Sequence, residues 1–365
     1  MLDPRRMPGL DAPSMARCIR LSAAILLAVP LVAIPVVAHA QNDQAVPSVE
    51  IRLAGTDAWR DRAAAEQQPA LDVTYFVRIT NAGDVPGSFS VHGDHGGTLF
   101  AVRYLQGGAG DERVTGDVLD GSFVLEDVPP GASRTLRIRV KVDGAAAIDR
   151  TGDWAVDVAS VDDPGATDSA TAEVRTVTQA FTRAAGVTLR VPAEVASITF
   201  HESLFGSAAA LRPSGTLLRN ANPAFDPPPD GPGPGYIVMD GRGRPTPPTS
   251  GSDDVVAADE PILAPVSGTV IRVTAYDLYC EWSDVRVAIR PDDAPERTVQ
   301  IFHLVDPRVR RGDRVLVSHT VLGHARLFPF RSQTQDYGLG GRHVHLEIER
   351  DGSAPLPGCN GEAIP

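Results

Sequence analysis

Short runs of alternating apolar and polar residues recur along the first half of the chain. Residues 72–81, 135–142 and 152–159 each show this pattern, and segments rich in Gly, Pro, Asn and Asp separate them. Because successive side chains of a strand point to opposite faces, a period of two predicts half-buried β-strands. Long amphipathic helical stretches do not recur. The pattern therefore predicts an all-β protein.

The composition agrees with many short strands joined by turns. The 365 residues include 34 Gly and 31 Pro, which helix interiors tolerate poorly. The length suffices for two domains of ordinary size. The formal net charge of −12 predicts a protein that binds neither nucleic acid nor an anionic lipid surface.

A first β domain is predicted at residues 49–178. A Val-Pro-Pro-Gly turn at 128–131 precedes the strand at 136–142, and a strand with a Gly-x-aromatic start follows at 152–159. This order resembles the immunoglobulin-like sandwiches of bacterial surface proteins. Since no cysteine pair would join the sheets, such a sandwich depends on its apolar core. The predicted core consists of Phe76, Leu136, Ile138, Trp154 and Val156.

Residues 1–40 have the features of a signal peptide. An apolar run at 21–37 follows two arginines, and residues 38–40 form a small-x-small cleavage site. Prolines interrupt the apolar run, which favours cleavage over a retained membrane anchor. We therefore expect a secreted or periplasmic protein that has no stable membrane span after signal cleavage.

Export would place the cysteines in an oxidising compartment. Cys280 and Cys359 remain beyond the signal, and two thiols in such a compartment usually form one disulfide. A metal site or a reactive thiol is the alternative, but two cysteines so far apart make a weak metal motif. We expect a Cys280–Cys359 bond that ties the C-terminal tail to the strand region around Cys280.

A second β domain is predicted at residues 186–365, with its core at about 250–350. Residues 225–248 are so rich in Pro and Gly that no regular element is expected there. Four segments of this domain carry the chemistry. The first two are a strand–turn–strand unit at 261–271 and a strand at 299–304 with His303 at its end. The other two are a Gly-containing stretch at 309–323 and a His-x-His strand at 340–348 that begins with two glycines.

In order and spacing, these segments resemble the M23 (lysostaphin/LytM-type) family of zinc metallopeptidases. The resemblance covers about residues 250–350. It implies a mostly antiparallel β-sheet domain whose long loops form a groove, and an enzyme that cleaves peptides of cell-wall peptidoglycan. Strand geometry agrees, because His343 and His345 lie two residues apart and point to the same face.

The resemblance also assigns roles to individual residues. Asp253 and His345 would bind zinc, and His303 and His343 would orient and deprotonate the attacking water or stabilise the oxyanion. The family's remaining ligand is the histidine of a His-x-x-x-Asp element, and that position falls on Thr249. Catalytic zinc normally has three protein ligands, so the set predicted from the motif is incomplete.

Two interpretations of the missing histidine remain open. A histidine from elsewhere in the chain, namely His201, His319 or His324, would complete the metal site. For His201, the long loop at 225–248 would bring the residue to the site. Alternatively, the domain is a catalytically inactive LytM-like protein that binds or regulates. The expected partners are peptidoglycan peptides or envelope proteins in either case.

Overall fold

The computed structural model describes residues 43–107, 112–203 and 206–350, and the backbone of 356–357 and 363–364. The predicted signal and Cys359 lie outside these residues, so the signal and the Cys280–Cys359 bond stay predictions. Within the described ranges, no helix has the length and apolar character needed to cross a membrane. Regular structure there is almost entirely strand, which confirms the all-β fold class.

The first ten strands lie between residues 47 and 176. They are β1 (Pro47–Leu53), β2 (Arg62–Gln67), β3 (Asp72–Asn81), β4 (Gly87–Gly93), β5 (Phe100–Gln106), β6 (Glu112–Arg113), β7 (Val124–Val128), β8 (Ser133–Val142), β9 (Thr151–Ser160) and β10 (Thr167–Thr176), with helix α1 (Thr115–Asp120) between β6 and β7. They form two five-stranded sheets, in the orders β1-β3-β8-β5-β6 and β2-β10-β9-β4-β7. Strands β2 and β10 pair in parallel.

Both of these sheets contribute to one apolar core. Alternate residues of each strand enter it, as in β3, where Tyr75 and Val77 are fully buried. Four of the five predicted core residues are buried as expected. Phe76 is the exception, because the register places it between Arg52 and Arg137 on the outer face of the sheet.

The remaining strands follow from residue 180 onward. They are β11 (Ala180–Ala184), β12 (Val187–Arg190), β13 (Ser197–His201), β14 (Arg212–Pro213), β15 (Leu217–Asn220), β16 (Tyr236–Val238), β17 (Gly251–Val255), β18 (Pro261–Leu263), β19 (Gly268–Leu278), β20 (Trp282–Pro291), β21 (Thr298–Val305), β22 (Arg314–Val315), β23 (Val321–Leu327), β24 (Arg342–Glu349), β25 (Leu356–Pro357) and β26 (Ala363–Ile364), with helix α2 (Gln333–Asp336) between β23 and β24.

The site lies on one large sheet, which runs in the order β15-β16-β13-β17-β24-β23-β21-β20-β19-β22. Strand β18 pairs with β23, and β24 also pairs with β21. The Pro- and Gly-rich stretch at 225–248 contributes to this sheet, against our expectation. Within it, Tyr236–Val238 forms β16, which pairs in parallel with β13, because Tyr236 and Val238 enter the apolar core.

A second apolar core lies against this large sheet. Val344, Leu346 and Ile348 of β24 enter it, which leaves the alternate side chains of β24 on the opposite face. The two cores share no residue, and they fall on either side of residue 178. The division into independently folding domains stays a prediction.

Candidate metal centre

Three neighbouring strands, β13, β17 and β24, bring three potential metal ligands together. Their register sets His345 opposite Asp253 and His201 opposite Gly251. His201, Asp253 and His345 each offer one ligand atom, these atoms all lie within 4.8 Å of one another, and all three residues are buried. The structure therefore joins the two predicted ligands to a third residue and forms a cluster that could hold a metal ion.

His201 supplies the histidine that the motif lacks at Thr249. The Thr249 side chain is buried, and its hydroxyl donates a hydrogen bond to the carbonyl oxygen of Leu211 at 2.7 Å, so it serves the fold. His201 was among the displaced histidines considered from the sequence, but the expected reason was wrong. The pairing of β13 with β17 places His201, and the loop at 225–248 does not carry it.

The other two displaced candidates lie away from the cluster. His319 is exposed, and its Nδ1 atom lies 2.6 Å from an Asp149 carboxylate oxygen. His324 lies within β23 and pairs with Val305 and Pro261 on the neighbouring strands. Of the three candidates, only His201 is part of the described metal-binding group.

Gly251 provides the space that the two histidine rings occupy. The rings of His201 and His345 stack with centroids 4.9 Å apart and an interplanar angle of 22°. A Cβ atom on residue 251 would lie 2.5 Å from Cε1 of His345 and 3.3 Å from Cε1 of His201. The first distance is shorter than any van der Waals contact, so a side chain at this position displaces a ligand.

The substitution Gly251→Ala is therefore expected to weaken metal binding by at least about tenfold, because the added methyl group displaces the His345 ring from its position in the cluster. Metal affinity is measured by competition with a chromogenic chelator. Gly231→Ala is the control, because a Cβ at residue 231 meets no atom within 4 Å. Unchanged affinity in the Gly251 variant would contradict this account of the site.

His201 presents an unprotonated nitrogen to a carboxylate. Its Nδ1–H donates to the carbonyl oxygen of Glu202 at 2.8 Å, so Nε2 carries the lone pair. Burial and the nearby Arg242 lower the pKa of His201 to about 3, and the ring is neutral. Nε2 lies 3.0 Å from Oδ1 of Asp253 without a hydrogen bond. With the proton on Nδ1, two acceptors face each other at this distance, an arrangement that a cation bound to both atoms would satisfy.

His345 is held through both ring nitrogens. Nδ1–H donates to Oδ1 of Asp253 at 2.7 Å, and Nε2–H donates to Oε1 of Glu347 at 2.7 Å. Burial alone would lower the pKa of His345, but these two carboxylates raise it to about 9. Burial likewise opposes ionisation of Asp253, but the surrounding histidines, including the hydrogen bond from His345, hold its pKa well below the usual value.

Glu347 therefore belongs to the site as the residue that orients His345. Its carboxylate is fully buried and also accepts a hydrogen bond from the hydroxyl of Ser203. Because Nε2–H of His345 donates to Glu347, Nδ1 is the nitrogen directed at the cluster. Histidines that bind a metal through one ring nitrogen commonly donate the other N–H to a carboxylate in this way. Our sequence prediction omitted Glu347, although its spacing of two residues from His345 on a strand places both on one face.

Metal affinity is expected to rise about tenfold per pH unit between pH 7 and 9. Metal binding at Nδ1 of His345 must displace a proton from this nitrogen, and the two carboxylates favour the protonated ring. Without metal, the raised pKa stabilises the fold fully below the usual value of 6.5, and this contribution is lost as pH rises through about 9. Calorimetry in buffers of different ionisation enthalpy measures the proton released. Affinity that is independent of pH, with no proton release, would contradict the assignment.

The two predicted catalytic histidines line the same cleft as the cluster. The ring centroid of His303 lies 5.7 Å from that of His343 and 6.2 Å from that of His345. His343 is buried, and burial lowers its pKa to about 4 despite the nearby Asp253. Its Nδ1 has no hydrogen-bond partner among the described residues. His343 is therefore a neutral imidazole with a nitrogen available to a ligand.

Asp284 fixes the orientation of His303. Its buried Oδ2 accepts hydrogen bonds from Nδ1–H of His303 at 2.7 Å and from the hydroxyl of Tyr276 at 2.9 Å, and Oδ1 accepts one from the amide of Val285 at 2.8 Å. Because Nδ1 donates, Nε2 of His303 is an acceptor. Asp284 was absent from the sequence prediction. It shares its face of β20 with Arg286, which is also buried, so no apolar alternation distinguished this position.

The backbone at His303 departs from regular strand geometry. Its φ of 65° lies in the left-handed region, which costs a residue with a side chain roughly 1–3 kcal/mol. The pairing of β20 with β21 is irregular here, between Val285 and Val287. His303 thus lies at an interruption of the ladder inside β21, before the strand ends at Val305, and not at the strand end as predicted.

The cluster opens into a cleft of about 480 Å³. Aromatic residues line part of it, among them Tyr279, Phe328 and Phe330. Arginines line another part, and Nη2 of Arg242 lies 3.4 Å from Oδ2 of Asp253. The cleft therefore combines a cluster that could hold a metal ion, two further histidines, and a lining that is partly aromatic and partly polar.

No protein-family model and no curated protein matches this chain. Solved structures match with low overall similarity. They include the SpoIIQ–SpoIIIAH pore-forming complex (25% identity, 31% of this chain, 65% of that chain, TM-score 0.21) and the secreted serine protease VesC from Vibrio cholerae (10%, 86%, 49%, 0.24). They also include the major pilin subunit BcpA of Bacillus cereus (8%, 76%, 64%, 0.27). These three matches each span less than two-thirds of the solved chain.

Proposed function

We propose that this chain is a zinc-dependent endopeptidase of the M23 type that cleaves cell-wall peptides. The supporting observation is the convergence of His201, Asp253 and His345, whose ligand atoms lie within 4.8 Å of one another. Two imidazoles and one carboxylate form a donor set typical of catalytic zinc sites. The facing acceptors on His201 and Asp253 explain why this group suits a cation.

The remaining residues have separable roles in peptide hydrolysis. When bound, zinc supplies a Lewis acid that polarises the substrate carbonyl and makes water acidic enough to be deprotonated near neutral pH. Nε2 of His303 accepts the proton from the attacking water, while Asp284 keeps Nδ1 protonated. His343, a neutral imidazole in the same cleft, donates its N–H to the oxygen that becomes negative during attack.

The alternative is a catalytically inactive LytM-like protein. Its motivation was the absence of a histidine at Thr249. Since His201 lies against Asp253 and His345, that motivation no longer holds, and the enzyme is the better-supported proposal. Peptidoglycan peptides as substrates, and an extracytoplasmic location, rest on the M23 resemblance and the signal-like N-terminus.

The direct test is hydrolysis of defined cell-wall peptides. Zinc-loaded protein is incubated with glycine-bridged and stem-peptide muropeptides, and mass spectrometry identifies the products. We expect new amino termini that a chelator prevents, and no products from the His343→Ala variant with its zinc retained. A folded, zinc-loaded protein that cleaves none of these peptides, but binds cell walls even with His345→Ala, would favour the inactive alternative.

A further inference from the structure

The outer face of the sheet β1-β3-β8-β5 is positively charged. The residues on this face alternate with those that enter the sandwich core. On these four strands, the outward positions hold six basic residues and two acidic ones, Glu50 and Asp72. The basic residues are Arg52, Arg78, Arg103, Arg137, Arg139 and Lys141. This concentration of basic residues on one face contrasts with the formal net charge of −12 for the whole chain.

Like charges lie directly opposite one another at the centre of this face. The register pairs Arg103 of β5 with Arg139 of β8, and like charges in such cross-strand positions destabilise a sheet. Glu50 pairs with Arg78 and Asp72 with Arg139, but Arg103 forms no ion pair with any described residue. The fold gains no stability from this juxtaposition, which points to a role in binding an anion.

Two of the arginines lie over aromatic rings. The guanidinium carbon of Arg52 lies 4.6 Å from the ring centroid of Phe76 and 5.1 Å from that of Trp59. That of Arg78 lies 4.4 Å from the Trp59 centroid. These contacts position the two guanidinium groups. The Nε and Nη2 groups of Arg78 already donate to the Glu50 carboxylate, and Nη1 of Arg52 donates to the carbonyl oxygen of Thr56. The other N–H groups of Arg52 are the ones that can donate to a ligand carboxylate. The outward position of Phe76, unexpected from the sequence, thus provides a platform for Arg52.

The shape and chemistry of this face select one class of polyanion. Arg52 and Arg78 cover Trp59, so the ring is not open to stack nucleic-acid bases, and a broad sheet does not enter a DNA groove as a helix or two-stranded ribbon does. Among the described residues, none of the exposed large apolar side chains lies on these four strands, and a face of this kind is poorly suited to insertion into a lipid surface. We propose that this face binds an acidic polysaccharide, whose repeated carboxylates pair with the rows of arginines.

Binding of oligogalacturonate to the full chain tests the proposal. We expect binding that weakens as salt is raised and that exceeds binding to neutral dextran. The double variant Arg103→Gln with Arg139→Gln should weaken it by about tenfold or more. Arg62→Gln is the matched control, since that side chain is 58% exposed on the other sheet, against 51% for Arg139, and it should bind as the unmodified chain does.

Thermal unfolding separates a binding role from a structural one. Because Arg103→Gln removes a like-charge pair, its melting temperature should equal or exceed that of the unmodified chain. Three results would overturn the proposal: equal binding of dextran and oligogalacturonate, undiminished binding by the double variant, or tighter binding of single-stranded DNA or phosphatidylglycerol vesicles than of oligogalacturonate.

Discussion

Replacing His201 with alanine is expected to reduce zinc affinity by at least about a hundredfold, because the site loses one of three protein ligands. Without metal, His345 should stay protonated at both ring nitrogens in this variant, because the hydrogen bonds from His345 to Asp253 and Glu347 remain. Competition with a chromogenic chelator gives the affinity, and metal analysis after gel filtration gives the stoichiometry.

Three further variants make this result specific to His201. His319→Gln and His324→Gln should bind zinc normally, because both histidines lie outside the cluster. Adding Thr249→His to the His201→Ala variant should not restore binding, because the native Thr249 side chain is directed at the Leu211 carbonyl. Full affinity in His201→Ala, or recovery through residue 249, would show that the metal site is built differently.

Asp284→Asn is expected to lower kcat by roughly a hundredfold to ten-thousandfold with little change in KM, because the His303 ring loses the carboxylate that fixes its tautomer. The change does not touch the metal ligands, so zinc content should be unaffected. The rate is measured on the cell-wall peptide that the unmodified chain cleaves. This prediction depends on the proposed peptidase function.

The control for Asp284→Asn is another carboxylate of the same domain. Asp292→Asn removes the partner of Arg314 at the surface and should leave kcat unchanged. Tyr276→Phe, which removes one hydrogen bond to Asp284, should reduce kcat by a smaller factor than Asp284→Asn. A fully active Asp284→Asn enzyme would mean that His303 does not need its carboxylate partner.

Local periodicity was sufficient to predict several of the strands and part of the site. The alternation along β24 depends only on neighbouring residues, so the sequence placed His343 and His345 on one face and Val344 on the other. The strand–turn–strand unit at 261–271 was also predictable, because its Gly and Pro positions set the turn. These features require no knowledge of which strands pair.

The position of the third candidate metal ligand depends on non-local pairing. His201 reaches the site because β13 lies beside β17 and their register sets it opposite Gly251, and no local pattern specifies that register. The sequence motif instead directs attention to Thr249. Asp284 was missed for the same reason, since its contact with His303 joins residues on two paired strands, β20 and β21.

The charge of the chain gave an incomplete picture for a related reason. A formal net charge of −12 describes the molecule as a whole, whereas an interface responds to the residues that share one face. The outward positions of β8 and β5 gather basic residues that are distant along the chain. Phe76 was assigned to the core because it is apolar, but its position on β3 determines its side of the sheet.

A crystal structure of the zinc-loaded protein, with anomalous diffraction measured at the zinc edge, tests the metal centre most directly. We expect one strong anomalous peak at about 2.0–2.2 Å from Nε2 of His201, Oδ1 of Asp253 and Nδ1 of His345. A peak at any other group of residues, or no peak in a fully folded protein soaked in zinc, would contradict it.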